Sequence, residues 1–239
     1  MIALYLALIG LIVGLALDAL IVRLAVPPGA EPDDAVEEPA PTPAFLHAEA
    51  GSLVLGHDSS GRAWARRLLV VGATAGLFAA VATRYDDASH LAAVTAYVCV
   101  LLVCAGTDML SFRVPNVITY PAIVGAVALG ALMPDADLAE VIAGGALAGG
   151  VLLLPALLTG GVGMGMGDVK LAAFVGLALG FTNVAPALLF MALAGGLAAV
   201  LLLATGLRKR REPIPYAPFI SAGALATLLW QGTAFVSVA

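Results

Sequence analysis

Apolar residues in this chain do not alternate or fall into narrow helical stripes; they come in long, nearly uncharged runs separated by short polar turns. Read by length and charge, the runs are 2–22, 68–83, 90–107, 117–133, 139–159, 169–182, 184–206 and 217–236. Windows of about 18 uncharged residues are the signal of membrane spans rather than of a water-soluble core. The pattern predicts an all-α, polytopic membrane protein with about eight transmembrane helices. The first run has no basic stretch before it and no small-residue cleavage site after it, so it reads as a retained helix and not as a signal peptide.

Composition supports this reading: 62% of the residues are hydrophobic, 11% are charged, and the mean hydropathy is +1.04. One long polar segment, 24–66, holds six of the 14 prolines and seven acids. Its stretch PPGAEPDDAVEEPAPTP cannot bury apolar area and reads as a disordered linker. With eight helices, ten of the 11 basic residues fall on one side and only Arg84 on the other. The positive-inside rule makes that side cytosolic and turns both termini outward. Cys99 and Cys104 share one apolar run without metal-ligand spacing, and His47, His57 and His90 lack companion ligands. Neither a disulfide nor a metal site is expected from them.

Two short cytosolic turns carry the candidate chemistry. TDMLSFRVPN places Asp108 at the end of the third helix and Pro115-Asn116 at the start of the fourth. GVGMGMGDVK places Asp168 at the start of the sixth, 60 residues later and on the same membrane face. An ionisable group at membrane depth is expensive, so a functional role is its default reading. Two carboxylates sharing a site do not ionise together easily; one acts as acid while the other acts as base on a water between them. Gly163, Gly165 and Gly167 would supply backbone freedom and let a substrate backbone approach Asp168. Asp168 could alternatively cap the sixth helix. Lys170 could reach the headgroups or bias the local field. Asp18, in the first helix, reads as an interfacial partner of Arg23 one turn away.

GMGDVKL, together with Asp108 ahead of Pro115-Asn116 and the later PYAPFISAG (215–223), resembles the type IV prepilin peptidases. That family shows an aspartate followed by a Pro-Asn or Pro-Asp step, then a G-x-G-D turn, then a Pro-Phe-Gly-Pro-Phe-like approach to the last helix. The resemblance covers about residues 100–225, and Ala217 stands where a glycine is usual. It implies a membrane aspartic endopeptidase with Asp108 and Asp168 as the catalytic pair. Gly165, Gly167, Lys170, Pro115, Asn116, Pro218 and Phe219 would shape the site or bind substrate. It further implies an N-terminal part, 1–89, ahead of a six-helix peptidase core, 90–239. Proteolysis by such a pair needs no metal or cofactor.

GLIVGLALDALIVRL (10–24) also resembles the first helix of the two-function members, which methylate the new N-terminus with S-adenosylmethionine. Those members carry zinc-binding cysteine pairs after this helix, whereas segment 24–66 has no cysteine. Zinc is therefore not expected, and methylation stays open; Asp18, Arg23 and the glycine pair, lacking a peptidase role, lean towards it. The implied partners are prepilin or pseudopilin substrates within the bilayer of the cytoplasmic (inner) membrane, not nucleic acid. A preflagellin-type leader peptidase is a close variant. A transporter, whose carboxylates would lie near the midplane, and a structural assembly factor are the alternatives from other classes.

Overall fold

The computed structural model describes residues 2–25, 61–158, 164–205 and 214–237. The linker 26–60 with His47 and His57, Gly163, and the basic run Arg208–Arg211 lie outside the described residues. The described chain forms seven helices: α1 (Ile2–Ala25), α2 (Gly61–Ala82), α3 (Ala88–Ser111), α4 (Asn116–Leu132), α5 (Leu138–Leu158), α6 (Met166–Ala204) and α7 (Ala217–Trp230). A hairpin of two short strands, β1 (Gly232–Thr233) and β2 (Val236–Ser237), follows. Five of the helices (α1, α2, α3, α5 and α6) are long and apolar enough to cross a membrane. This is an all-α polytopic membrane protein.

Helix ends follow local chemistry. Asp87 caps α3 by accepting from the backbone N–H groups of Ser89 (2.8 Å) and His90 (3.3 Å). Such a cap satisfies donors that a first helical turn leaves orphaned. Asp137 accepts from Ala139 N–H at 2.9 Å as α5 begins. The final helix differs from the run expected at 217–236: it stops at Trp230, where Gly232 takes φ 103° and turns the chain into the hairpin. A glycine just past the last helical residue is a common stop, because a positive φ costs it little.

The 39-residue α6 is not one rod. Gly180 has φ 76° and ψ 170°, a backbone region open essentially to glycine alone. Residues on both sides of it lie beside the start of α7. Asp168 shares a cleft with Asp108, whose Oδ2 accepts from Ala217 N–H at 3.0 Å. A Cβ on Gly195 would stand 3.3 Å from the Tyr216 hydroxyl. A straight helix would separate residues 168 and 195 by about 40 Å. The chain therefore reverses at Gly180, and the halves 166–179 and 181–204 correspond to the two runs expected there. Glu140 Oε1 accepts from Thr182 N–H at 3.0 Å, capping the second half.

Small residues set the helix spacing. Apolar side chains gain little by leaving lipid, so close van der Waals contact and interhelical hydrogen bonds hold such bundles. Gly10 and Gly14 of α1 lie against α2: a Cβ on either would stand 2.7 Å from the Cα of Ala75 or Val71. Gly144 and Gly176 face each other backbone to backbone where α5 meets α6. Ser221 Oγ donates to Leu101 O (3.1 Å), and Tyr85 Oη donates to Leu228 O (2.6 Å), tying α7 to α3 and to the turn before it. The largest buried cluster joins α3 to α7 around Tyr97, Leu101, Cys104, Leu171 and Phe174. Two smaller clusters fasten α1 and α2 to α3.

These contacts fix two ends of the bundle. Asp18, Arg66, Arg67, Asp108, Arg113, Asp168 and Lys170 lie towards one. Arg84, His90, Gly180 and the β-hairpin lie towards the other.

Candidate active site

Asp108 sits in the last turn of α3 and is 5% exposed. Its main-chain carbonyl accepts from Phe112 N–H at 2.9 Å. Its Oδ2 accepts from Ala217 N–H at 3.0 Å. A backbone donor at the start of α7 thus holds Asp108 in place.

Asp168 is the third residue of α6 and not its cap. Gly165 occupies the cap position, its carbonyl accepting from Asp168 N–H (3.1 Å) and Val169 N–H (3.5 Å). Asp168 thus places a carboxylate in the first turn, at the positive end of the helix. Asp168 Oδ1 is buried and accepts no hydrogen bond among the described residues. Asp108 and Asp168 are within Coulombic reach of each other. Both line one open cleft of about 310 Å³, with Phe112, Arg113, Val114, Asn116, Gly165, Met166, Gly167 and Lys170.

Two glycines of the turn do not use the backbone freedom expected of them. Neither Gly165 nor Gly167 has a positive φ. A Cβ on Gly167 would stand 2.9 Å from Val114 Cβ, so its absence lets the α3–α4 turn close onto the start of α6. A Cβ on Gly165 would meet nothing closer than Asp168 Oδ2 at 3.4 Å.

Of the remaining candidates, Asn116 Oδ1 accepts from Lys170 Nζ at 2.9 Å, and that ammonium lies 4.7 Å from the Tyr120 ring centroid. Lys170 is thereby tied to protein groups rather than extended towards headgroups. Pro115 caps α4 in extended conformation, with its carbonyl accepting from Ile118 and Thr119 N–H. Pro218 and Phe219 lie in the first turn of α7, outside the cleft lining; Phe219 packs edge-on against Tyr216. Sequence reading missed Phe112, Arg113, Val114 and Met166 as cleft residues. Their proximity to the two aspartates was the available signal.

Asp18 lies outside this cleft. Its oxygens accept from Arg66 Nε (3.0 Å) and Arg67 Nε (3.1 Å), not from Arg23. A 1%-exposed carboxylate is stable only with such partners.

A profile described as the type IV leader peptidase family matches residues 95–203, the stretch that contains both aspartates. The chain is 33% identical over 162 residues to a prepilin leader peptidase/N-methyltransferase of Bacillus subtilis (strain 168), covering 66% of this chain and 63% of that protein. It is 37% identical over 142 residues to one of Burkholderia pseudomallei (strain 1026b), covering 56% and 45% respectively. A third, from Aeromonas hydrophila, is 30% identical over 136 residues, covering 55% and 47%. The chain thus spans less than two thirds of the length of these relatives. No solved structure matches it.

Proposed function

We propose that this protein is a membrane aspartic endopeptidase that removes the basic leader from type IV prepilins or pseudopilins. The observation that carries the reading is the convergence of Asp108 and Asp168 in one cleft at one end of the bundle. The family profile that matches residues 95–203 and the names of the relatives support it.

The geometry suits the chemistry. One carboxylate takes a proton from a water, which attacks the scissile carbonyl carbon. The other carboxyl gives its proton to the leaving amine as the C–N bond breaks. Asp108, fixed by the Ala217 N–H, and Asp168, with a buried oxygen to spare, are preorganised for this exchange. Gly165, Gly167 and Asn116 position the pair, and the approach to α7 around Pro218 and Phe219 carries the donor to Asp108. Residues 90–239 form the peptidase core of this reading, and 1–89 an accessory part.

The site faces the cytosol of the cytoplasmic membrane. Among the described residues Arg23, Arg66, Arg67, Arg113 and Lys170 lie towards the site end and Arg84 towards the other, as the positive-inside rule requires. A substrate helix packed in the bilayer would then present its polar leader at the level of the aspartates.

N-methylation of the new N-terminus is a second reading, favoured by the relatives' names. It would require S-adenosylmethionine. Asp18 does not fit as a donor-binding acid, because Arg66 and Arg67 engage both its oxygens. Gly10 and Gly14 are accounted for by packing on α2. These residues therefore no longer speak for methylation.

The test is incubation of the purified protein with a model prepilin, followed by mass measurement of the product. The peptidase reading expects loss of the leader; a transporter leaves the substrate mass unchanged. A further 14-dalton increment, present only with S-adenosylmethionine, would establish the second activity.

A further inference from the structure

Lys170 is a cation in a cleft with two carboxylates, yet among the described residues it makes no salt bridge with either. An ammonium so close to acids would ordinarily pair with one. Its position explains why it does not. Lys170 lies two residues after Asp168 on α6, and side chains at that spacing do not face each other. α4 then holds the ammonium: Asn116 Oδ1 accepts from Nζ at 2.9 Å, and the Tyr120 ring centroid lies 4.7 Å away. A lysine ammonium carries three donors. One goes to Asn116 and one faces the electron-rich Tyr120 ring; the third has no partner among the described residues, and Lys170 lines the cleft.

We infer that Lys170 is a catalytic residue that polarises the scissile carbonyl and stabilises the oxyanion formed on it. The inference rests on the peptidase reading. As the water oxygen bonds to the carbonyl carbon, the C=O π pair moves onto the carbonyl oxygen, which accepts a hydrogen bond from Lys170 Nζ. The water proton goes to the basic carboxylate. When the oxyanion collapses and the C–N bond breaks, the second carboxyl, protonated at the start, gives its proton to the leaving amine. Lys170 keeps its proton throughout, so it adds an electrostatic donor without changing the proton count.

This division of labour accounts for Asn116 and Tyr120 together. Without them the ammonium would be free to pair with Asp108, lock that carboxylate in an ion pair and lose its hold on the carbonyl. Preorganised donors aimed at developing charge are among the largest contributors to enzymatic rate.

The experiment compares wild type with Lys170→Met, Lys170→Gln and Lys170→Arg on a model prepilin, recording kcat, KM, the pH–rate profile and the melting temperature. Loss of the donor should lower kcat by about 10²–10³-fold in Lys170→Met and Lys170→Gln. KM and the shape of the pH profile should be retained, and Lys170→Arg should recover part of the loss. Binding of uncleaved substrate, measured in an Asp168→Asn background, should survive Lys170→Met. Undiminished kcat, a loss confined to KM, or a displaced pH profile with a restored plateau would overturn the assignment; the last would mean that Lys170 acts through the carboxylates. Should Lys170→Met fail to fold, the Gln and Arg variants decide on the same criteria. A wild-type protein that leaves the substrate whole would instead bring down the peptidase reading, and the lysine assignment with it.

Discussion

A Cβ on Gly167 would stand only 2.9 Å from Val114 Cβ. The 2.9 Å separation is shorter than carbon atoms tolerate, so the turn after α3 and the start of α6 can be neighbours only because residue 167 has no side chain. Each turn carries one aspartate. The contact sets how closely Asp108 and Asp168 approach, and it predicts different outcomes for the two glycines of the same motif.

Gly167→Ala must push the turns apart and should lower cleavage by about 10²-fold, the scale of an ångström-sized misplacement of reacting groups. Gly165→Ala meets only Asp168 Oδ2, at an ordinary contact distance of 3.4 Å, and should cost much less. Side-by-side kinetics of the purified variants check this. Equal losses would mean that substrate approach, rather than packing on Val114, explains the glycines.

Asp18→Asn should destabilise the protein by about 3 kcal/mol, the order of cost for leaving a buried partner charge uncompensated. Arg66 is the more buried of the two arginines and would bear most of it. Activity per folded molecule should be unchanged, because Asp18 lies outside the cleft. Thermal melting and kcat, measured on the same preparation, separate the two effects.

Gly180→Ala should destabilise by about 1–3 kcal/mol, since its backbone conformation is essentially glycine-only. An added Cβ would also meet Ala234 Cβ at 3.0 Å. The effect should appear in the melting temperature, with the uncut protein still inserted in the membrane.

Single cysteines introduced at residues 113 and 86 should label from opposite sides of the membrane, with 113 cytosolic. Labelling of both from one side would contradict the bundle, and an outward-facing residue 113 would contradict the assigned orientation.

Much of the fold was legible because a bilayer imposes a coarse rule on sequence. Long uncharged runs marked the helices, and even the reversal inside α6 appeared as two adjoining runs. Boundaries were less legible. α2 begins at Gly61 and not near 68, because a helix continues beyond the hydrocarbon layer, and its first turns carry Arg66 and Arg67. The two aspartates could be read from their matched positions at the ends of helices. What stayed hidden was pairing across the chain. Arg23 was the near partner for Asp18 in sequence, whereas the partners found lie 48 and 49 residues away. The same holds for Val114 against Gly167 and for the Ala217 N–H on Asp108, contacts that exist only once helices pack.

The most direct measurement is the turnover of Asp108→Asn and Asp168→Asn, each purified and tested separately on a model prepilin. Each should lose about 10²–10⁴-fold or more in kcat, while melting temperature and binding of uncleaved substrate stay near those of the wild type. Near-normal cleavage by either variant would contradict the assignment of these two carboxylates as the catalytic pair.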